Sequence, residues 1–157
     1  MKKELQIYYE SFSSFDKLPR AYQLITQEAQ QALKGSYSPY SKFKVGCALE
    51  LEDGTIIHGS NQENVAYPSG LCAERTALFY YGANHADQKI KRLAIAAEGT
   101  FLPKGNILSP CGSCRQVMSE YTQKQQAPFE ILLLNNDGSV MVFDSIRSLL
   151  PFSFKTE

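Results

Sequence analysis

Cys72-Ala73-Glu74-Arg75-Thr76 and Ser109-Pro110-Cys111-Gly112-Ser113-Cys114 hold the densest group of chemically capable side chains in this sequence. Both stretches open segments of helical composition. One runs from 72 to about 83 and ends near Gly82; the other runs from about Gly112 to Gln123 and buries Val117, Met118 and Tyr121. Two helices packed side by side on one face of a sheet can bring the three cysteines together. The segments around them must therefore supply that sheet.

Working outward, Phe43, Val45, Cys47, Leu49 and Leu51 alternate as one face of a strand. Asp53-Gly54 is a hairpin turn, and Thr55 to Gly59 is the returning strand. Arg92 to Ala97 is a short apolar run, expected as a strand buried on both faces. Gly99 to Ser109, with Pro103 and Gly105, reads as a loop. Phe129 to Leu134 and Ser139 to Phe143 flank the turn Asn135-Asn136-Asp137-Gly138, which makes those last two strands an antiparallel hairpin. Ser145 to Leu150 reads as a short helix closed by Pro151. Upstream, Leu18, Ala21, Tyr22, Ile25, Ala29, Ala32 and Leu33 recur at helical spacing, with Asp16 as cap, Pro19 in the first turn and Gly35 past the end. Leu5, Ile7 and Tyr9 alternate as a short strand, and Ser11 to Phe15 reads as a loop. This order predicts an α/β fold, a three-layer α/β/α sandwich with a mixed sheet of about five strands. Residues 18–157 form the domain, and residues 1–17 are an N-terminal extension packed on it.

Composition narrows the function. Sixteen basic and sixteen acidic residues cancel among 157, which argues against a protein that holds nucleic acid by neutralising phosphates. Lys89-Ile90-Lys91-Arg92 reads as a solvated strand entrance. No window approaches the roughly 18 apolar residues of a membrane span, and no signal-peptide run follows Met1. The expectation is a soluble cytoplasmic protein. Four unevenly placed cysteines do not make a secreted disulfide framework.

Cys111 and Cys114 form a C-x-x-C pair at a helix start, one turn apart on one side of the chain. With Cys72 they make three thiolate ligands for a zinc ion. Three protein ligands leave the fourth tetrahedral position for water, the mark of a catalytic rather than a structural site. His58 lies inside a strand and His85 beyond a helix, and neither has ligand spacing. Cys47 sits between Val45 and Leu49 and reads as a buried core thiol. Three thiolates on Zn²⁺ carry a net negative charge, which weakens the ion's power to acidify water. The two helix N-termini offset this, and Arg75 can donate to a cysteine sulfur. Glu74, two residues after Cys72, is placed to move protons for water at the metal.

These residues resemble the three-cysteine, zinc-dependent, homotetrameric class of cytidine deaminase, whose zinc signature is a general one. The resemblance rests on Cys-Ala-Glu-Arg-Thr at 72–76 and Ser-Pro-Cys-Gly-Ser-Cys-Arg-Gln at 109–116. It extends to Tyr37–Gly46, to Gly59-Ser60-Asn61-Gln62-Glu63-Asn64 and to Leu149–Phe154, covering roughly residues 20 to 154. It implies one Zn²⁺ per chain on Cys72, Cys111 and Cys114. It also implies hydrolytic deamination of cytidine and deoxycytidine to uridine and deoxyuridine in pyrimidine salvage, with zinc-bound hydroxide attacking C4 and Glu74 as proton shuttle. Asn61 and Glu63 would bond the ribose hydroxyl, and the backbone N–H of Ala73 would meet the base carbonyl. Arg75 would bond the ligand sulfurs. Phe43 would stack near the base, although its pattern equally suits a core aromatic. The partners implied are a small-molecule nucleoside and other copies of the chain. Phe154 would reach into a neighbouring subunit's site, close to the loop of Tyr67. Phe152 is a second aromatic where one is expected, and Gln62, Val65 and Ala66 depart from the usual sugar loop. Two other readings stay open: a deaminase of another substrate, either a cytosine-containing antibiotic such as blasticidin S or a base in nucleic acid, for which the basic surface is lacking, and a zinc-stabilised binding domain without catalysis.

Overall fold

The computed structural model describes residues 1–100 and 105–155. Pro103, expected in a loop, lies outside the described residues. In chain order the elements are β1 (Glu10–Phe12), α1 (Arg20–Ala32), β2 (Lys44–Leu51), β3 (Ile56–Ser60), α2 (Ala73–Asn84), β4 (Ile90–Glu98), α3 (Gly112–Lys124), β5 (Glu130–Leu134) and β6 (Val140–Phe143). The strands form one mixed sheet in the order β1-β6-β5-β4-β2-β3. Among these strands of the described residues only β4 and β5 pair in parallel, and α3 lies in the crossover between them. β2–β3 and β5–β6 are antiparallel neighbours, as their short turns require.

Alternation along the strands sorts the core into two layers. Cys47, Leu49, Leu93, Ile95, Ile131 and Leu133 face Ala77, Leu78 and Tyr81 of α2 and Cys114 and Met118 of α3. Ala48, Ala94, Ala96, Leu132 and Leu134 face Ile25 and Ala29 of α1. The result is the three-layer sandwich. The α1 layer is built on small residues because that helix lies almost on the strand: a Cβ added at Gly46 would stand 2.2 Å from the Ala29 carbonyl oxygen.

The structure corrects several expectations. The sheet has six strands rather than about five. The additional one is β1, in which Glu10, Ser11 and Phe12 pair with Val142, Met141 and Val140. The strand expected at Leu5 to Tyr9 does not form, and Ser11 and Phe12 belong to a strand rather than a loop. Edge pairing uses backbone groups, so it leaves little trace in side-chain pattern. Pro19, not Asp16, precedes the first turn of α1; its carbonyl accepts from the backbone N–H groups of Tyr22 and Gln23. Asp16 falls in a separate 3₁₀ turn. α2 continues through Gly82, where the absent side chain admits the Tyr121 hydroxyl of α3. The helix expected at Ser145 to Leu150 is one 3₁₀ turn, Ile146–Ser148. Arg92 is not a solvated strand entrance: it is 7% exposed. It donates to Glu50 at 3.1 Å and Glu130 at 2.9 Å, with the Tyr22 ring beneath its guanidinium. Among the described residues no helix is long and apolar enough to cross a membrane.

A second close approach sets the position of α2. A Cβ at Gly59 of β3 would stand 2.3 Å from the Ala73 carbonyl oxygen and 2.6 Å from the Ala77 nitrogen. Backbone on backbone, this contact fixes the first turn of α2 against the sheet. Gly59→Ala should therefore force the two apart and lower the free energy of unfolding by about 1–3 kcal/mol, the usual cost of overpacking. Urea denaturation of the variant beside the parent chain reads this directly.

Candidate active site

Cys72 and Cys111 are the residues immediately before α2 and α3, and Cys114 lies in the first turn of α3. The two helices share one face of the sheet, so their N-termini bring the sulfurs together. Sγ of Cys72 and Cys111 are 3.9 Å apart, and Sγ of Cys111 and Cys114 are 3.4 Å apart. All three lie within 4.8 Å of one another, the one such group of potential metal ligands among the described residues. His58 instead meets Glu28 at 2.7 Å on the surface. His85 ends α2 beside Tyr80.

The electrostatics of the cluster favour a cation. The Cys72 thiol is brought down to about 5, first by the hydrogen bond from Cys114, then by Arg75 and Cys111. Cys114 is pushed upward, chiefly by that same bond and by burial. A divalent cation at the cluster would favour the ionised form of all three sulfurs. Arg75 donates from Nη2 to the Cys72 sulfur at 3.8 Å, the contact expected of it. Both helix N-termini add positive potential. Soft sulfur donors at this spacing suit zinc.

Glu74 is 4% exposed and lies within the first turn of α2. Burial pushes its carboxyl up to about 7, and the Cys72 thiolate adds to the rise. It lines a cavity of about 760 Å³ together with Cys72, Cys111 and Arg75. That volume suits a small organic ligand. The lining also includes Phe43, Asn61 and Glu63, so three more of the expected residues converge on this space.

The wall is stiffer than its loop sequence suggested. The backbone N–H and carbonyl of Gln62 exchange two 2.9 Å bonds with those of Leu71, and the Glu63 N–H donates to the Tyr37 carbonyl at 2.8 Å. Asn61 commits much of its amide to the protein. Its Oδ1 accepts from Ser36 Oγ at 2.5 Å and from the Val45 N–H at 2.8 Å, while Nδ2 donates to the Phe43 carbonyl at 2.9 Å. Asn61 thus fastens the entrance of β2, which places Phe43 in the cavity wall. Glu63 accepts from the backbone N–H of Tyr40 at 2.9 Å and of Ser41 at 3.3 Å, and from the Ser41 hydroxyl. These bonds, the Ser41 hydroxyl's foremost, lower its carboxyl below the ordinary glutamate value.

Other expected residues stand elsewhere. Ala73 is wholly buried as the first residue of α2. Phe154 is 79% exposed, and its ring is not part of this cavity's lining. Its backbone is held by Gln116 of α3, which donates to the Phe154 carbonyl at 2.8 Å and accepts from its N–H at 3.1 Å. Tyr67 lines the cavity rim, edge-on to Tyr40. Sequence reasoning assigned nothing to Arg115. It donates to the carbonyls of Pro110 and Leu149 at 2.8 and 2.7 Å and to Ser109 Oγ at 2.8 Å, fixing the chain on the approach to Cys111. Its place directly after Cys114 was the available signal.

A family model described as the cytidine and deoxycytidylate deaminase zinc-binding region matches residues 19–127. The chain belongs to the cytidine deaminase family. As a member it is an enzyme, a hydrolase. It is 40% identical to the cytidine deaminase of Halalkalibacterium halodurans over 136 residues, 86% of this chain and 95% of that protein. It is 41% identical to that of Sporosarcina psychrophila over 130 residues, 83% and 88% of the two chains. Among solved structures, the cytidine deaminase of Burkholderia pseudomallei superposes with a TM-score of 0.72 at 37% identity, covering 85% of this chain and 98% of that one. The Mycobacterium tuberculosis enzyme gives 0.64 at 30% identity, with 86% and 98% covered.

Cys47 is wholly buried in β2, and burial drives its thiol well above the usual range. Iodoacetamide applied to metal-depleted protein should therefore modify the cluster cysteines that are not buried, Cys72 and Cys111, and leave Cys47 unlabelled until denaturant is added. Peptide mass spectrometry separates the sites.

Proposed function

We propose that the chain deaminates cytidine and deoxycytidine to uridine and deoxyuridine, with one Zn²⁺ per chain held by Cys72, Cys111 and Cys114. The observation that carries this reading is Glu74: a buried carboxyl, raised by its surroundings, on the floor of a cavity beside three convergent sulfurs. Bound there, zinc would supply Lewis-acid activation of water.

The chain's own groups do the rest. A carboxyl drawn up towards neutrality can both accept and return a proton at working pH. Glu74 takes a proton from the attacking water and delivers it to N3 of the base. As the C4–O bond forms and the C4–N bond breaks, Glu74 carries a second proton to the departing amine. Cytidine and water thereby give uridine and ammonia. Phe43 offers a ring to the base and the Ala73 N–H meets its carbonyl. Asn61 and Glu63 receive the sugar, Glu63 as the anionic acceptor. Arg75 holds charge against the Cys72 sulfur and so moderates the negative cluster.

The same reading extends to assembly. Phe154 is tethered through its backbone while its side chain is exposed and does not line its own cavity, which suits a reach into the site of another copy, near Tyr67. The expected state is a homotetramer with shared active sites, working in the cytoplasm on nucleosides salvaged from nucleic acid breakdown. A formal net charge of zero suits a nucleoside better than a nucleic acid.

The test follows the ultraviolet change on conversion of cytidine and deoxycytidine by zinc-loaded protein. The parent chain should turn both over. Glu74→Ala should keep its zinc yet lose at least about 100-fold in kcat, the lower end of what a positioned proton carrier contributes. No turnover of either nucleoside at one zinc per chain would overturn the substrate assignment. Undiminished turnover by Glu74→Ala would overturn the role of Glu74.

A further inference from the structure

The turn at residues 40–43 points three donors at one carboxylate. Glu63 Oε2 accepts from the backbone N–H of Tyr40 at 2.9 Å and of Ser41 at 3.3 Å, and Oε1 accepts from the Ser41 hydroxyl. The Ser41 oxygen in turn accepts from the Phe43 N–H at 3.0 Å. Lys42, between them, sits in the left-handed region at φ 56°, which folds the chain so that Ser41 Oγ meets the N–H two residues on. With its acceptor side taken by that N–H, the hydroxyl proton is directed at Glu63. A free carboxylate on a loop would rotate among several orientations. This one is clasped, and the clasp is continuous with Phe43, the aromatic in the cavity wall.

We infer that Ser41 is a positioning residue for the deaminase reaction: its hydroxyl sets the orientation in which Glu63 presents its remaining acceptor capacity to a sugar hydroxyl of the substrate. A carboxylate has about four acceptor positions, so three protein donors leave room for one more. Losing Ser41 Oγ removes a charge-assisted bond and frees the carboxylate to turn, so substrate binding then carries an ordering cost that the parent chain meets in advance. The proton chemistry at Glu74 does not pass through this residue. Its loss therefore acts on substrate capture and not on the chemical step. The inference rests on the proposed role of Glu63 at the sugar.

The experiment measures kcat and KM for cytidine in the zinc-loaded parent chain, Ser41→Ala, Ser41→Thr, Glu63→Gln and the Ser41→Ala/Glu63→Gln double variant. Ser41→Ala should raise KM about tenfold with kcat changed less than twofold, in keeping with one hydrogen bond to a charged group. Ser41→Thr, which keeps the hydroxyl, should recover most of that loss. In the Glu63→Gln background, Ser41→Ala should have little further effect. If Glu63→Gln raises KM but Ser41→Ala does not, or if the Ser41→Ala effect survives in full without Glu63, the positioning role is wrong. If Glu63→Gln leaves KM unchanged, the sugar role of Glu63 fails and the inference falls with it. Should Ser41→Ala fold poorly, Ser41→Cys, similar in size but a weak donor, takes its place with the same expected rise in KM.

Discussion

Three thiols from two helices must meet within a few ångströms, and a mixed sheet is what makes them do so. α2 and α3 lie on the same face, each begins with a cysteine at its first cap position, and the sulfurs close to within 4.8 Å. Such a meeting point is sensitive to small displacements along either helix axis. The structure fixes one start by backbone contact and the other by a side chain bonded to backbone carbonyls on both sides. Gly59 brings β3 against the carbonyl of Ala73, one residue beyond Cys72. Arg115 ties Pro110, one residue before Cys111, to the C-terminal segment. The sulfur cluster inherits its precision from these two anchors.

Glu74 depends on the same geometry. Its carboxyl belongs to the first turn of a helix, where the macrodipole stabilises its charge. Yet burial and the neighbouring thiolate act in the other direction and prevail, leaving it near neutrality. A cation on the sulfurs would draw the carboxyl down again, and Arg75 bonded to Cys72 adds to that pull. The side chain is thus held between opposing influences, burial and the thiolate raising its carboxyl and Arg75 lowering it. That balance is what a group needs if it is to take a proton and give it back within one turnover.

The cysteine cluster and Glu74 beside it were legible in the sequence because their spacing is local: each motif spans a single helical turn. The two-layer core was legible because strands β2, β4 and β5 alternate or run apolar in step with their burial. What escaped reading depends on distant parts of the chain. Arg92 sits in a run of basic residues and looks solvated, but Glu50 and Glu130 approach it from the two strands flanking β4. Only the register of three strands reveals that. Asn61 reads as a ligand-binding residue, and the structure shows it fastening the entrance of β2 through Ser36, Phe43 and Val45. Ser41, in an ordinary polar loop, gave no sign of its bond to a residue 22 positions on.

The first strand shows the same blindness from another side. β6 is the strand that would end the sheet, and all four of its residues are buried. An uncovered edge of that kind presents unpaired backbone groups beside apolar side chains, a template for unwanted pairing. Glu10, Ser11 and Phe12 pair with it. They replace a fully buried strand at the boundary by a three-residue strand with two exposed positions. Phe12 also stands edge-on to Tyr22 of α1, and Tyr9 approaches Phe143, so the segment is held by rings on either side of the pairing. This strand lies before residue 19, where the family match begins. Edge protection needs only backbone donors, a short length and some polarity. Many sequences satisfy those conditions, which is why no motif announced it.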